Sequence, residues 1–109
     1  NLIKLHKNNF STALMIDQRV SEGILSNFFQ KPAFTTTIPA QIFKKFNTPI
    51  VPIYIERLKG IKFKIVIHEP LTFPKETTIQ KITDDLNLVL EKMVLKKPEQ
   101  WIWTHNRWK

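Results

Sequence analysis

Residues 49–68 read PIVPIYIERLKGIKFKIVIH. The first run, Pro49 to Leu58, is β-branched and apolar. The second, Lys62 to His68, alternates Phe63, Ile65 and Ile67 against Lys62, Lys64 and Val66, the two-residue period of a strand. Lys59-Gly60 between them supplies turn chemistry, so the pair predicts a β-hairpin with one face buried and the other partly basic. Pro52 has no N–H to give to a ladder and is expected at an edge or a bulge. A loop, EPLTFPKE, leads to the clearest helix of the chain, Thr77 to Lys97. Ile79, Ile82, Leu86, Val89 and Met93 recur there at steps of three and four. Thr77 and Gln80 form a capping-box pattern, Lys96 and Lys97 oppose the negative end of the dipole, and Pro98 stops the helix. A hairpin followed by an amphipathic helix makes the outline α/β.

Upstream, Leu2 to Lys7 suits a helical end closed by Asn8 and Asn9, and STALMI, residues 11–16, reads as a short buried strand ending in Asp17-Gln18. GILSNFFQKPAFTTT, residues 23–37, fits no helical period and reads as an extended loop with a short strand at Ile24 to Phe28. IPAQIFKKF has apolar residues at 38, 42, 43 and 46, the face of a short helix with Thr36 or Thr37 as N-cap and Pro39 in its first turn; Asn47 and Pro49 end it.

The chain has 109 residues, enough for one domain, and its 42% hydrophobic content is that of a protein with a real core. It opens on Asn1, in residues that already resemble the inside of a helix, so it is expected to be a piece of something longer. With no cysteine, thiolate zinc sites, disulfides and cysteine nucleophiles are excluded. The longest apolar stretch, Pro49 to Ile55, is far short of the roughly 20 residues that span a bilayer. Net charge is +8, which favours a polyanionic partner: nucleic acid, acidic phospholipid or a phosphorylated substrate. The excess is spread along the chain rather than gathered in a basic tail.

No metal-ligand spacing links His6, His68 and His105; no Gly-x-Ser-x-Gly elbow surrounds a serine; and two glycines cannot build a phosphate-binding loop. Asp17-Gln18 is either a working pair at a strand end or a cap for loose backbone donors. Phe28, Phe29 and Phe34 line an acyl pocket or belong to the core. The tail PEQWIWTHNRWK, residues 98–109, carries all three tryptophans beside His105, Arg107 and Lys109. It suits an apolar–polar boundary with phosphate donors, stacking on nucleic acid, or docking back on the sheet.

Taken with the helix before it, that tail closely resembles the end of the bacterial lipid A biosynthesis acyltransferases, the lauroyl and myristoyl transferases. ALMIDQ at 13–18, the Phe-Phe segment with its following Ala-x-Thr, and TPIVPIYIERL at 48–58 resemble further segments of that family in the same order, so the resemblance covers nearly the whole chain. It implies the C-terminal part of a glycerolipid-acyltransferase-like mixed sheet flanked by helices, residues 1–109 forming a single domain. The implied enzyme works at the cytoplasmic face of the inner membrane. It moves a fatty acyl chain from acyl carrier protein or acyl-CoA to a hydroxyl of a phosphorylated glucosamine-disaccharide lipid precursor, with no cofactor, metal or nucleic acid.

The family's base is a histidine followed after four residues by aspartate or glutamate. This chain contains no such pair, so the resemblance implies a C-terminal fragment, inactive alone, whose missing N-terminal half is its partner. Asp17, Gln18, Phe28, Phe29 and Thr35 are then expected to support or border the active site. His105, Arg107 and Trp108 are expected to serve structure, phosphate contact or the membrane surface. Gln30 and Ile38 stand where the family usually has glycine, and Arg19 where an acidic residue is frequent. Glycine reaches positive φ at little cost, so these departures bear on loop geometry. The competing reading is a non-catalytic basic module that binds nucleic acid or anionic membrane.

Overall fold

The computed structural model describes Lys4, residues 7–102 and residues 106–108. Two strands, β1 (Ile24–Phe28) and β2 (Lys31–Thr35), form one antiparallel hairpin, and β3 (Ile53–Arg57) and β4 (Phe63–Ile67) form another. Helix α1 (Ile38–Phe46) lies between the hairpins in sequence, and α2 (Ile79–Lys96) follows the second, leading into a 3-10 turn at Pro98–Gln100. The α/β class stands, with its β component in two separate antiparallel sheets. Among the described residues no helix is long and apolar enough to cross a membrane.

The second hairpin forms where the alternation placed it, with Ile55 opposite Ile65. Pro52 falls just before β3, where its carbonyl accepts from the His68 N–H at 2.9 Å and its missing donor costs nothing. Ile50 and Leu71 exchange two backbone hydrogen bonds beyond it, extending the pairing by one bridge. Residues 23–37 need correction: they are not a loop with one strand but a full hairpin, Phe28 pairing with Lys31 around a two-residue turn. Phe29 and Gln30 stand there at φ 52° and 63°. Two successive positive φ values are the mark of the turn whose twist matches paired strands, a turn that usually carries Asn-Gly. Gln30 does so without glycine; Ile38 simply opens α1 and needs no unusual φ.

A second correction concerns residues 11–16. They run without a ladder partner, and Leu14 and Met15 are exposed, Met15 by 74%. A run of β-branched and apolar residues is compatible with a strand but does not make one: the backbone groups must find a neighbour, and none of the described strands lies beside them. Lys4 and Lys7 have helical backbone and Asn9 turns at φ 64°, as the Asn pair suggested; Leu2, Ile3, Leu5 and His6 lie outside the described residues.

Helix α1 takes its backbone cap from Thr37, while Thr36 Oγ1 accepts from the Ile38 N–H at 3.3 Å, and Asn47 closes it in the left-handed region. Helix α2 starts one residue later than the capping box predicts. Thr78, not Thr77, is its N-cap and accepts from the Lys81 N–H at 3.1 Å, which frees Gln80 to reach the Leu25 carbonyl and Asp84. Its buried face is Ile82, Thr83, Leu86, Asn87, Leu90 and Val94. Leu90 and Val94 pack with Phe28 and Ala33; Ile82 and Leu86 pack with Ala40 and Phe43. Ile16 touches both clusters, so the extended segment before Asp17 is tied to the core at one side chain.

The expected buried face of the second hairpin is the third correction. Ile53, Ile55, Phe63, Ile65 and Ile67 share one face, and each is more than half exposed. The opposite face, through Tyr54, is the one turned to the protein, Tyr54 being 7% exposed. Alternation tells which residues share a face; it does not tell which face is covered.

Candidate functional site

The tail is what assembles the expected site residues. Arg107 is fully buried. Its Nη1 donates to the Phe34 carbonyl at 2.6 Å, its Nη2 donates to Thr35 Oγ1 at 2.8 Å, and the guanidinium lies 5.5 Å from the centre of the Phe28 ring. Trp108 donates its indole N–H to the Phe28 carbonyl at 2.9 Å and stacks on the Phe28 ring at 5.5 Å. Phe29 meets Phe28 edge to face at 4.7 Å, and Trp101 approaches it from another side at 5.9 Å. Of the three roles open for the tail, docking back on the fold is the one these contacts fulfil for Trp101, Arg107 and Trp108. Trp103 and His105 lie outside the described residues.

Burial of a guanidinium without a carboxylate at contact distance is costly. Among the described residues the one ion pair joins Lys81 to Asp85, and Arg107 Nε has no hydrogen-bond partner. Desolvation pulls the Arg107 guanidinium below its ordinary value, while the charge of Asp17 acts in the opposite sense.

A polar seam beside Arg107 escaped the sequence reading. Asn87 on α2 donates to Ser26 Oγ at 2.9 Å and to Thr35 Oγ1 at 3.0 Å, Ser26 donates to Asp84 at 2.6 Å, and Glu91 accepts from the Phe29 N–H at 2.5 Å. Asp84, Asn87 and Glu91 lie three and four residues apart on one helix face. That spacing was the available signal, a polar stripe running beside the apolar one. Thr35 Oγ1 closes the network by donating to the Ala33 carbonyl while accepting from Asn87 and Arg107.

Asp17 and Gln18 do not sit in this network but line a groove of about 1190 Å³. One wall is the extended segment 9–18, another is segment 48–55, and the floor includes Val89, Met93 and Trp101. Ligand sites commonly measure about 300–1,000 Å³, so the groove has room for a ligand with a sizeable apolar part. Phe28, Phe29 and Thr35 stand outside its lining, in the core and seam that fix it. His68 is the one histidine among the described residues; its Nε2 is buried and without a hydrogen-bond partner, and it is not part of the groove. The described lining offers apolar walls, the Asp17 carboxylate, the amides of Asn9, Gln18 and Gln100 and the Lys97 ammonium, and it includes no imidazole.

Comparison with known protein families bears on the acyltransferase-like reading. The description "bacterial lipid A biosynthesis acyltransferase" matches residues 1–109. The chain belongs to that family. No curated protein matches it. In a lipid A acyltransferase-like chain, the seam of Ser26, Thr35, Asp84, Asn87 and Arg107 is the support that holds the first hairpin against α2, and the groove is the part open to a ligand.

Proposed function

We propose that this chain is the C-terminal portion of an acyltransferase of lipid A biosynthesis, that its groove receives the fatty acyl chain, and that the catalytic histidine comes from a segment not contained in these 109 residues. The observation that carries the reading is the juxtaposition of an extended apolar groove with Asp17 and Gln18 in its lining. The donor is acyl carrier protein or acyl-CoA, the acceptor a hydroxyl of a phosphorylated glucosamine-disaccharide lipid, and the place the cytoplasmic face of the bacterial inner membrane. In the transfer the acceptor oxygen forms an ester bond to the acyl carbonyl carbon as the thioester C–S bond breaks. The hydroxyl proton passes to the histidine base and on to the departing thiolate. Asp17 and Gln18 hold the polar end of the bound groups, and the walls of segments 9–18 and 48–55 shield the hydrocarbon.

The test is transfer of a labelled acyl group from acyl carrier protein to the disaccharide lipid by the protein of the complete reading frame, with Met15→Trp and Val89→Trp as groove-filling variants. Retained transfer of short chains with at least ten-fold loss for long ones is the expected result. Variants that treat all chain lengths as the parent does, or a parent that transfers nothing, overturn the reading.

A further inference from the structure

We infer that the Tyr54 hydroxyl is the hydrogen-bond donor that receives the carbonyl oxygen of the groove's acyl ligand, and that the hydrocarbon runs from there along α2 toward α1. Tyr54 lines the groove, is only 7% exposed, and its hydroxyl oxygen is shut off from solvent with no hydrogen-bond partner among the described residues. Asn9, Ser11 and Gln18, polar side chains of the same lining, are exposed, so water serves them. A buried hydroxyl has no such recourse, and leaving it unpaired is costly unless something else completes it. Burial first, then the charges of Glu56 and Glu99, raise the pKa of this phenol. At neutral pH it therefore presents a proton and takes an acceptor oxygen.

The two ends of the groove are unlike. Ile50 packs on Ala40, Phe43, Ile82 and Leu86, which places one end of the lining against α1 and the first half of α2. Gln100 bonds to the backbone of Ile55 and Arg57, and Lys96 Nζ lies 5.4 Å from the centre of the Tyr54 ring, which places Tyr54 at the far end of α2. Between Leu86 and Val94, both in the lining, the helix rises about 12 Å. Pro39, Ile42, Ile50 and Leu86 make the α1 end apolar, and Thr48, the polar lining residue near them in sequence, is already engaged. An acyl group fits this arrangement with its carbonyl at Tyr54 and its methyl end at Ile42. Lys96 is exposed, so its cover over the ring can swing aside without disturbing the core. The assignment rests on the proposed acyl reading of the groove for the class of ligand, and on the unpaired hydroxyl for the point of contact.

The test uses the protein of the complete reading frame and reads binding, not transfer. A fluorescent fatty-acyl probe is displaced by methyl dodecanoate or by tridecane, chains of the same carbon count of which only the ester carries a carbonyl. Tyr54→Phe is expected to weaken the ester about five- to ten-fold and to leave tridecane unchanged. Ile42→Trp, at the other end, is expected to weaken methyl dodecanoate about ten-fold while methyl octanoate competes as it does in the parent. A Tyr54→Phe protein in which ester and tridecane shift equally overturns the assignment. So does one whose ligand-free urea midpoint falls, because the hydroxyl then serves another part of the chain, and so does an Ile42→Trp protein that treats both esters alike. Those outcomes leave the acyl groove standing. Probe binding that Val89→Trp does not weaken, or no displacement by any of these ligands, overturns the groove reading and this assignment with it.

Discussion

Trp108 holds Phe28 at two points, by an indole N–H bond to the Phe28 carbonyl at 2.9 Å and by ring stacking at 5.5 Å. A residue close to the end of the chain thereby fixes the last residue of β1, and with it the turn that follows. Replacing Trp108 by Phe keeps an aromatic ring and loses the donor. It is expected to cost about 1 kcal/mol in urea unfolding, against about 3 kcal/mol for Trp108→Ala, which removes the ring as well.

The turn itself stores strain. Gln30 at φ 63° occupies a backbone region that costs an ordinary residue about 1–2 kcal/mol, while glycine enters it freely and gives up about half of that advantage in unfolded-chain entropy. Gln30→Gly is therefore expected to stabilise the protein by about 1 kcal/mol, measured as a higher urea midpoint at unchanged slope. A lower midpoint would show that the Gln30 side chain contributes more than its backbone costs.

Gly23 presents the opposite case. A Cβ there would lie 2.3 Å from the Thr35 carbonyl oxygen, which is backbone and cannot step aside. Gly23→Ala is expected to destabilise by about 1–3 kcal/mol. Because Thr35 also receives Arg107 and Asn87, the near-ultraviolet dichroism of the tryptophans should change with it.

Tyr54, the single tyrosine, has a buried hydroxyl without a partner. Burial first, then the charges of Glu56 and Glu99, raise its pKa above the ordinary value of 10.0. The unfolded chain thus ionises before the folded one. The contribution is full below about pH 10 and is lost as pH rises from there through the folded value. Tyr54→Phe is expected to abolish that alkaline loss and, by removing an unsatisfied buried hydroxyl, to stabilise by about 1 kcal/mol at neutral pH. Tyrosinate absorbance followed beside urea stability checks both.

Sequence pattern was most informative where local chemistry and tertiary packing agree. Helix α2 carries period, cap and proline stop together, and the β3–β4 hairpin carries alternation and a glycine turn. β2 was hidden because Pro32 lies within it and Phe29-Gln30 replaces the usual Asn-Gly. Thr77 and Thr78 both qualify as caps, and geometry alone chooses Thr78. Of the site, Asp17 and Gln18 stood out at the end of an apolar run and Arg107 and Trp108 in the aromatic, basic tail, with family likeness supplying their expected roles, while Asp84, Asn87 and Glu91 were passed over because polar residues on a helix usually face water. The exposure of the hairpin's isoleucines could not be read at all, since it depends on what packs against Tyr54.

Gln100 occupies the outer edge of β3: its amide nitrogen donates to the Ile55 carbonyl at 2.9 Å, its amide oxygen accepts from the Arg57 N–H at 3.1 Å, and Lys97 donates to the Arg57 carbonyl. One side chain thus imitates a neighbouring strand. A hairpin open on both flanks can be extended without limit by copies of itself, the route to fibres. With the Ile55 carbonyl and both backbone groups of Arg57 already engaged on this edge, strand addition is turned toward β4, where growth by copies ends at a pair.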